Sequence, residues 1–336
     1  MNSVMKNISN YKLFFMIMLI SGCLVSQLLY ANTDNYKNIL IGDRASTMAG
    51  AFSAISDDSS GVFYNPAGLV HIPKTKYTGS ANTYYQKTIV YENAIDDYNW
   101  ERDSRTLKPN FFSMVVKQSE SFVWGLSYVV PYVSVEDQQS VYYDLDSYTD
   151  YFFNYHDEDR TAFIGPSFSF KLANSFSMGV SLYYFFRDRK IQSNQLLTLT
   201  SDNDVNYIDQ WQVSDQIISV DGFHPIIGFM WSPFKKLSLG ASARTFAVFN
   251  ADDSQNVIDY STTYSADDSA TDESDYYYSL YSSILDYSTN YPTQISGGFA
   301  FFPSPYFLIS SDVDYFTAAS DDLNEVFNFS LGIELF

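Results

Sequence analysis

The side chains able to do covalent chemistry are few and scattered. His71, His156 and His224 are the three histidines of the 336-residue chain, and Cys23 is its one cysteine. His71 closes a segment rich in small residues, His156 sits in "NYHDEDR" and His224 in "GFHP". None stands in a recognisable nucleophile motif, and an isolated imidazole is more often structural or exposed than catalytic. The sequence therefore reads as a protein that is not an enzyme and uses no cofactor. Carboxylates offer the other candidate chemistry. Asp252, Asp253, Asp259, Asp267, Asp268, Asp272, Glu273 and Asp275 crowd one stretch with no Lys or Arg among them. Carboxylates suit hard cations, but the Gly and closing Glu of a calcium loop are missing, so the stretch reads as a solvated loop without a metal.

Composition narrows the class. Aromatic residues make up 18% and hydrophobic residues 46% of the chain, yet its mean hydropathy is slightly negative. Helical membrane proteins are more apolar, and disordered chains are less aromatic. The mixture suits a β-protein whose apolar residues alternate with polar ones. A formal net charge of −20 repels nucleic acid, which is set aside as a partner.

Residues 1–31 read as an export signal. Lys6 and Lys12 flank the apolar run "LFFMIMLI", and Ser21-Gly22 and Ser26-Gln27 break the apolar character of residues 21–31. Ile20-Ser21-Gly22-Cys23 resembles a lipobox, which would make Cys23 a lipidated N-terminus, while Leu29-Tyr30-Ala31 offers an ordinary small-residue cleavage site. Cleavage after Ala31 is the preferred expectation, because a membrane-embedded body needs no lipid tether.

Strict alternation recurs along the rest of the chain, in pairs of segments joined by short turns. In "TAFIGPSFSFKL", Ala162, Ile164, Pro166, Phe168, Phe170 and Leu172 share one face, and Gly165, Ser167, Ser169 and Lys171 the other. The last segment sets Phe327, Phe329, Leu331, Ile333 and Leu335 against Asn328, Ser330, Gly332 and Glu334. Runs of about ten alternating residues match a tilted membrane-crossing strand, and a Ser/Gly face with occasional charges such as Arg244 and Asp312 suits a lumen. The stretches 93–109, 133–160 and 250–290 read as long external loops. The expected fold is all-β, a transmembrane antiparallel β-barrel of at least 10 strands, with 12–14 left open because 250–290 has room for another pair.

One segment stands outside this pattern. "GDRASTMAGAFSAISDDSSGVFYNPAGLV" orders a Gly/Ala-rich stretch, Asp57-Asp58, a small-residue linker, Phe63-Tyr64 and then Asn65-Pro66-Ala67-Gly68-Leu69. Its small residues allow tight packing of backbone inside a lumen, Pro66 fixes a turn, and Asn65 can bond neighbouring backbone. The segment resembles the start of the FadL/TodX-type (OMPP1) outer-membrane transporters of hydrophobic compounds, and of related spirochaete and Bacteroidetes barrels. The chain thus divides into the signal 1–31, residues 32–75, for which the resemblance implies a periplasmic or lumenal hatch, and the alternating barrel over 76–336. The same resemblance implies a hatch role for Asn65, Pro66, Ala67 and Gly68, while the family's ligand residues map onto no identifiable position, so ligand-binding residues stay unassigned.

The expected function is passive uptake of small hydrophobic molecules, long-chain fatty acids among them, across the outer membrane of a diderm bacterium. An outer-membrane scaffold, adhesin or secretion-associated barrel without transport is the alternative. Expected partners are the ligand, outer-membrane lipid and the barrel-assembly machinery, with the protein a monomer. Pro131, Gly165 and Pro166 are candidate strand breaks for a lateral exit, because each proline withholds a ladder donor and Gly165 adds slack.

Overall fold

The computed structural model describes residues 40–95, 98–143, 150–200, 206–265, 273–284, 291–318 and 324–336. The expected signal, with Cys23 and Ala31, lies outside the described residues, as do 32–39 of the expected hatch and Asp267, Asp268 and Asp272 of the acidic stretch.

Among the described residues, twelve strands form one antiparallel sheet: β1 (Lys76–Ile95), β2 (Tyr98–Lys117), β3 (Phe122–Tyr143), β4 (Asp150–Ala173), β5 (Phe176–Thr200), β6 (Asn206–Phe234), β7 (Leu237–Arg244), β8 (Ala247–Ser265), β9 (Glu273–Ile284), β10 (Gln294–Ser304), β11 (Phe307–Phe316) and β12 (Val326–Leu335). The path runs β1 through β7 and then β10, β11 and β12, with β8 and β9 set off it. β7 pairs with the lower part of β6 and β8 with its upper part, so the two continue one another across Thr245 and Phe246. β9 and β10 face β8 and β7 in the same way. The lower part of the sheet therefore has the ten strands of the main path, and β8–β9 is the extra pair for which the 250–290 stretch had room.

Burial is inside out, as a bilayer demands. On β4, Ser167 and Ser169 are buried while Ile164, Phe170 and Leu172 are exposed. On β12, Phe327, Phe329, Leu331, Ile333 and Leu335 all face outward and exposed. Lipid, not water, is the solvent that such a face fits. On β5 the outward face is apolar from Phe176 to Phe186 and then turns to Asp188 and Lys190. That length agrees with the roughly 9–11 residues a tilted strand needs to cross.

All three expected external loops are corrected to strand in their described residues, and with the third goes the solvated-loop reading of Asp252, Asp253, Asp259, Glu273 and Asp275, which lie on β8 and β9. β1 and β2 stay paired to Ile95↔Tyr98, and β3 and β4 to Tyr143↔Asp150, so 93–109 and 133–160 are largely ladder. Their acidic residues suggested loop, but Tyr, Phe and Val alternate between them, and cross-strand aromatic pairs extend a sheet already nucleated below. Tyr142 stacks on Tyr151 with ring centroids 6.2 Å apart.

Candidate functional site

Residues 40–75 form no strand before Lys76. They fold as a short helix α1 (Asp43–Thr47), a second short helix α2 (Gly61–Tyr64) and a 3-10 helix Pro66–His71. Asn65 begins the last of these from an extended conformation, its side chain accepting from Ala67 N at 3.1 Å, and Pro66 brings its fixed φ to the first helical position. Gly42, with φ 83°, turns the chain into α1 where a side chain would be strained. Ile41, Met48, Phe52, Val62, Leu69 and Ile72 are almost fully buried.

This segment touches the wall on many sides. Oγ of Ser177 and Oγ of Ser181 on β5 donate to the carbonyls of Ala67 and Val62 at 2.8 and 2.7 Å. Ser242 Oγ and Arg244 Nη2 on β7 both donate to Tyr64 O at 3.0 Å. Asn65 Nδ2 donates to Ser53 O within the segment and to Phe229 O on β6, at 2.7 and 3.0 Å. Asp312 Oδ2 on β11 accepts from Phe52 N and Ser53 N at 2.8 and 2.7 Å. Ser59 Oγ reaches Thr78 Oγ1 on β1 at 2.6 Å, and Arg44 Nη2 reaches Glu334 Oε2 on β12 at 2.8 Å. One segment thus bonds both ends of the strand path, which requires the sheet to curl around it.

Where wall and segment come closest, the wall is glycine. A Cβ on Gly179 would overlap Pro66 and Ala67, one on Gly228 would overlap Asn65, and one on Gly240 would overlap Ser53. On β12, a Cβ at Gly332 would lie 2.7 Å from the tip of Met48. The segment's own electrostatics follow from burial. Burial pushes the Tyr64 phenol well above its usual range. Burial alone would lower Arg44, but its bonds to Glu334 and Asp57 hold the guanidinium firmly charged.

Outward from the segment, the inner face of β4 passes through three further layers. Phe163 stacks on His224 at 4.7 Å, and Phe246 closes on His224 at 4.2 Å and on Tyr291 at 4.7 Å. Arg244 lies over the Phe63 ring at 4.7 Å. Beyond this aromatic cluster comes a belt of two bidentate ion pairs. Arg187 Nε and Nη2 donate to Asp159 at 3.0 and 2.7 Å, and Arg189 Nε and Nη2 to Asp157 at 3.1 and 2.8 Å. Past the belt, Tyr155, Phe153 and Tyr151 stack in succession at 5.9 and 6.1 Å, with Trp100 edge-on to Phe153 at 5.7 Å.

The model of the outer membrane protein transport proteins (OMPP1/FadL/TodX) matches residues 22–280. The chain belongs to this family. It is an outer-membrane β-barrel, and membership makes it a transport protein. No curated protein matches it. Two solved family structures share its fold. The TodX deltaS2S3 mutant, a monoaromatic hydrocarbon channel, is 13% identical with a TM-score of 0.54, the match covering 88% of this chain and 75% of that one. The Pseudomonas putida toluene transporter TodX is 13% identical with a TM-score of 0.51, over 87% and 74%.

In this OMPP1/FadL/TodX barrel, Asn65, Pro66, Ala67 and Gly68 are all buried in the segment just described. Pro131 falls in a bulge, where β3 passes from Val129 to Tyr132 while β4 passes from Phe163 to Thr161. Gly165 and Pro166 pair with Ser127 and Leu126 on β3, but the β4–β5 ladder skips them, from Ile164↔Tyr184 to Ser167↔Ser181. Pro166 stands nearer the short-turn end of β4, because β4 runs on to Asp150. Sequence reasoning missed a third proline. Phe111↔Val129 and Ser104↔Glu136 on β2 and β3 share one register, and among the described residues no pair joins the strands between them. On that register Pro109 stands level with Pro131. Reading 93–109 as loop hid it.

Proposed function

We propose that the barrel lets small hydrophobic molecules pass the outer membrane without an energy source of its own, with residues 32–75 as a hatch and 76–336 as the wall. Residues 1–31 are then the export signal, removed after Ala31. The aromatic layers above the segment carry this reading: an inner face otherwise built of small, polar and charged residues places rings where an apolar molecule would travel. Long-chain fatty acids fit such a route, and the toluene transporter among the similar structures adds small aromatic hydrocarbons. Asn65 serves as the hatch's keystone, because its amide joins Ser53 O to Phe229 O of the wall. The bulge at Pro131 and the unpaired stretch between β2 and β3 serve as the side exit toward the membrane, with the slack at Gly165-Pro166 beside it.

Cells that lack their own transporter test the reading. Producing the full chain should speed uptake of labelled fatty acid or toluene, and deleting residues 42–72 should change that rate while heat-modifiable gel migration still reports a folded barrel. A folded full-length barrel that moves neither ligand leaves the scaffold or adhesin alternative standing.

A further inference from the structure

The belt and the unpaired stretch of wall stand at the same height. Between Phe111↔Val129 and Ser104↔Glu136, β3 contributes residues 130–135 without partners on β2. Across β3, residues 132–135 face Thr161 to Glu158 of β4, and Ser134 is opposite Asp159 itself. Next along the sheet, Asp159 is opposite Arg189, and Thr161 is opposite Arg187. Two bidentate ion pairs therefore bridge β4 and β5 on the inner wall, level in register with the seam that lacks its ladder. The outward side of that level is also distinctive. Val130, Val133 and Ala162 form a small buried cluster of their own, with Tyr128 and Phe186 packed on it, separate from the core around the N-terminal segment.

We propose that the Asp157–Arg189 and Asp159–Arg187 belt is the floor of the ligand route, turning apolar molecules sideways into the β2–β3 seam before they reach the inner aromatic cluster and the hatch. An apolar molecule passing straight down along β4 and β5 would meet charge-assisted bonds for which it offers no replacement. Both Asp157 and Asp159 are buried, so those bonds are not readily exchanged for water. Above the floor, Tyr151, Phe153 and Tyr155 give rings to lie against, and Tyr155 OH donates to Asp157 Oδ2 at 3.1 Å, tying the last ring to the belt. The four charged residues are positioning residues: they set where the ligand turns and do not bind it. This inference rests on the side exit proposed above.

The test uses two belts in the full chain, in cells whose outer leaflet excludes the neutral fluorophore N-phenylnaphthylamine. An apolar belt carries Asp157→Leu, Asp159→Leu, Arg187→Met and Arg189→Met. A reversed belt carries Asp157→Arg, Asp159→Arg, Arg187→Asp and Arg189→Asp. Fluorophore entry through the apolar belt should slow about tenfold, with more fluorophore retained on the purified barrel, as ligand sinks past the exit. Entry through the reversed belt should stay within about twofold of the parent, because a paired floor of either polarity deflects an uncharged molecule. Unslowed entry through a folded apolar belt overturns the floor, and so does equal slowing by the reversed belt. Should the reversed belt not fold, the neutral polar pair Asp159→Asn with Arg187→Gln replaces it under the same expectations. A Pro109→Val, Pro131→Val barrel tests the exit separately: if it alone slows entry, the exit stands and the floor falls.

Discussion

The space that a Cβ on Gly228 would need is held by Oδ1 of Asn65. Wall and segment are matched to the atom there, since the same Asn65 also bonds Phe229 O on that strand through its amide. Gly228→Ala should therefore push the segment from its seat. The overlap costs about 1–3 kcal/mol, borne by undocking rather than by the barrel. Limited proteolysis should cut within 40–75 in the variant and not in the parent, with heat-modifiable migration unchanged.

Asp312 supplies the acceptor for two consecutive amides of the segment. Asp312→Ala leaves Ser53 N buried without an acceptor, at about 1–3 kcal/mol, while Phe52 N keeps the carbonyl of Gly50. The unfolding midpoint should fall clearly, and by less in Asp312→Asn, which keeps one oxygen. Equal midpoints in the alanine variant and the parent would contradict the role given to this carboxylate.

Restoring donors to the β2–β3 seam should narrow the proposed side exit. Pro109→Val with Pro131→Val gives both strands the N–H that a ladder needs. Ligand uptake should drop several-fold while the fold is kept, and amide exchange in residues 104–111 should slow. Pro166→Val, acting on the β4–β5 skip instead, should have the smaller effect.

The outward face can be probed without touching the lumen. Leu331 is exposed on β12, with Ser330 turned inward beside it. Leu331→Arg should cost up to about 2–4 kcal/mol in a bilayer, and Ser330→Ala far less. Refolding yield into lipid vesicles distinguishes the two, and similar losses would mean that the faces are assigned the wrong way round.

Alternation made the wall legible from sequence, down to the inward phase of Ser167, Ser169 and Gly332, because a two-residue period maps directly onto two faces. The 65–68 motif was legible because its order resembles a family. The seat was not. Asp312 and Ser53 are 259 residues apart, and no local pattern records that an aspartate on a polar face waits for two distant amides. Gly179, Gly228 and Gly240 read as mere members of the polar face; only the packed segment reveals that a methyl group would not fit. The external strands were misread for a related reason, since acidic residues suggest loop unless the aromatic residues between them are known to pair.

The length of β6 has a consequence for where capture begins. It runs from Asn206 to Phe234, 29 residues, which at about 3.3 Å each and a tilt near 40° rises roughly 70 Å along the membrane normal. The apolar band accounts for only about 25 Å of that. The mouth stands far out in the water, like a raised intake. Arrival is then governed by diffusion to a protruding target, and a sparingly soluble molecule is collected before the bilayer surface competes for it.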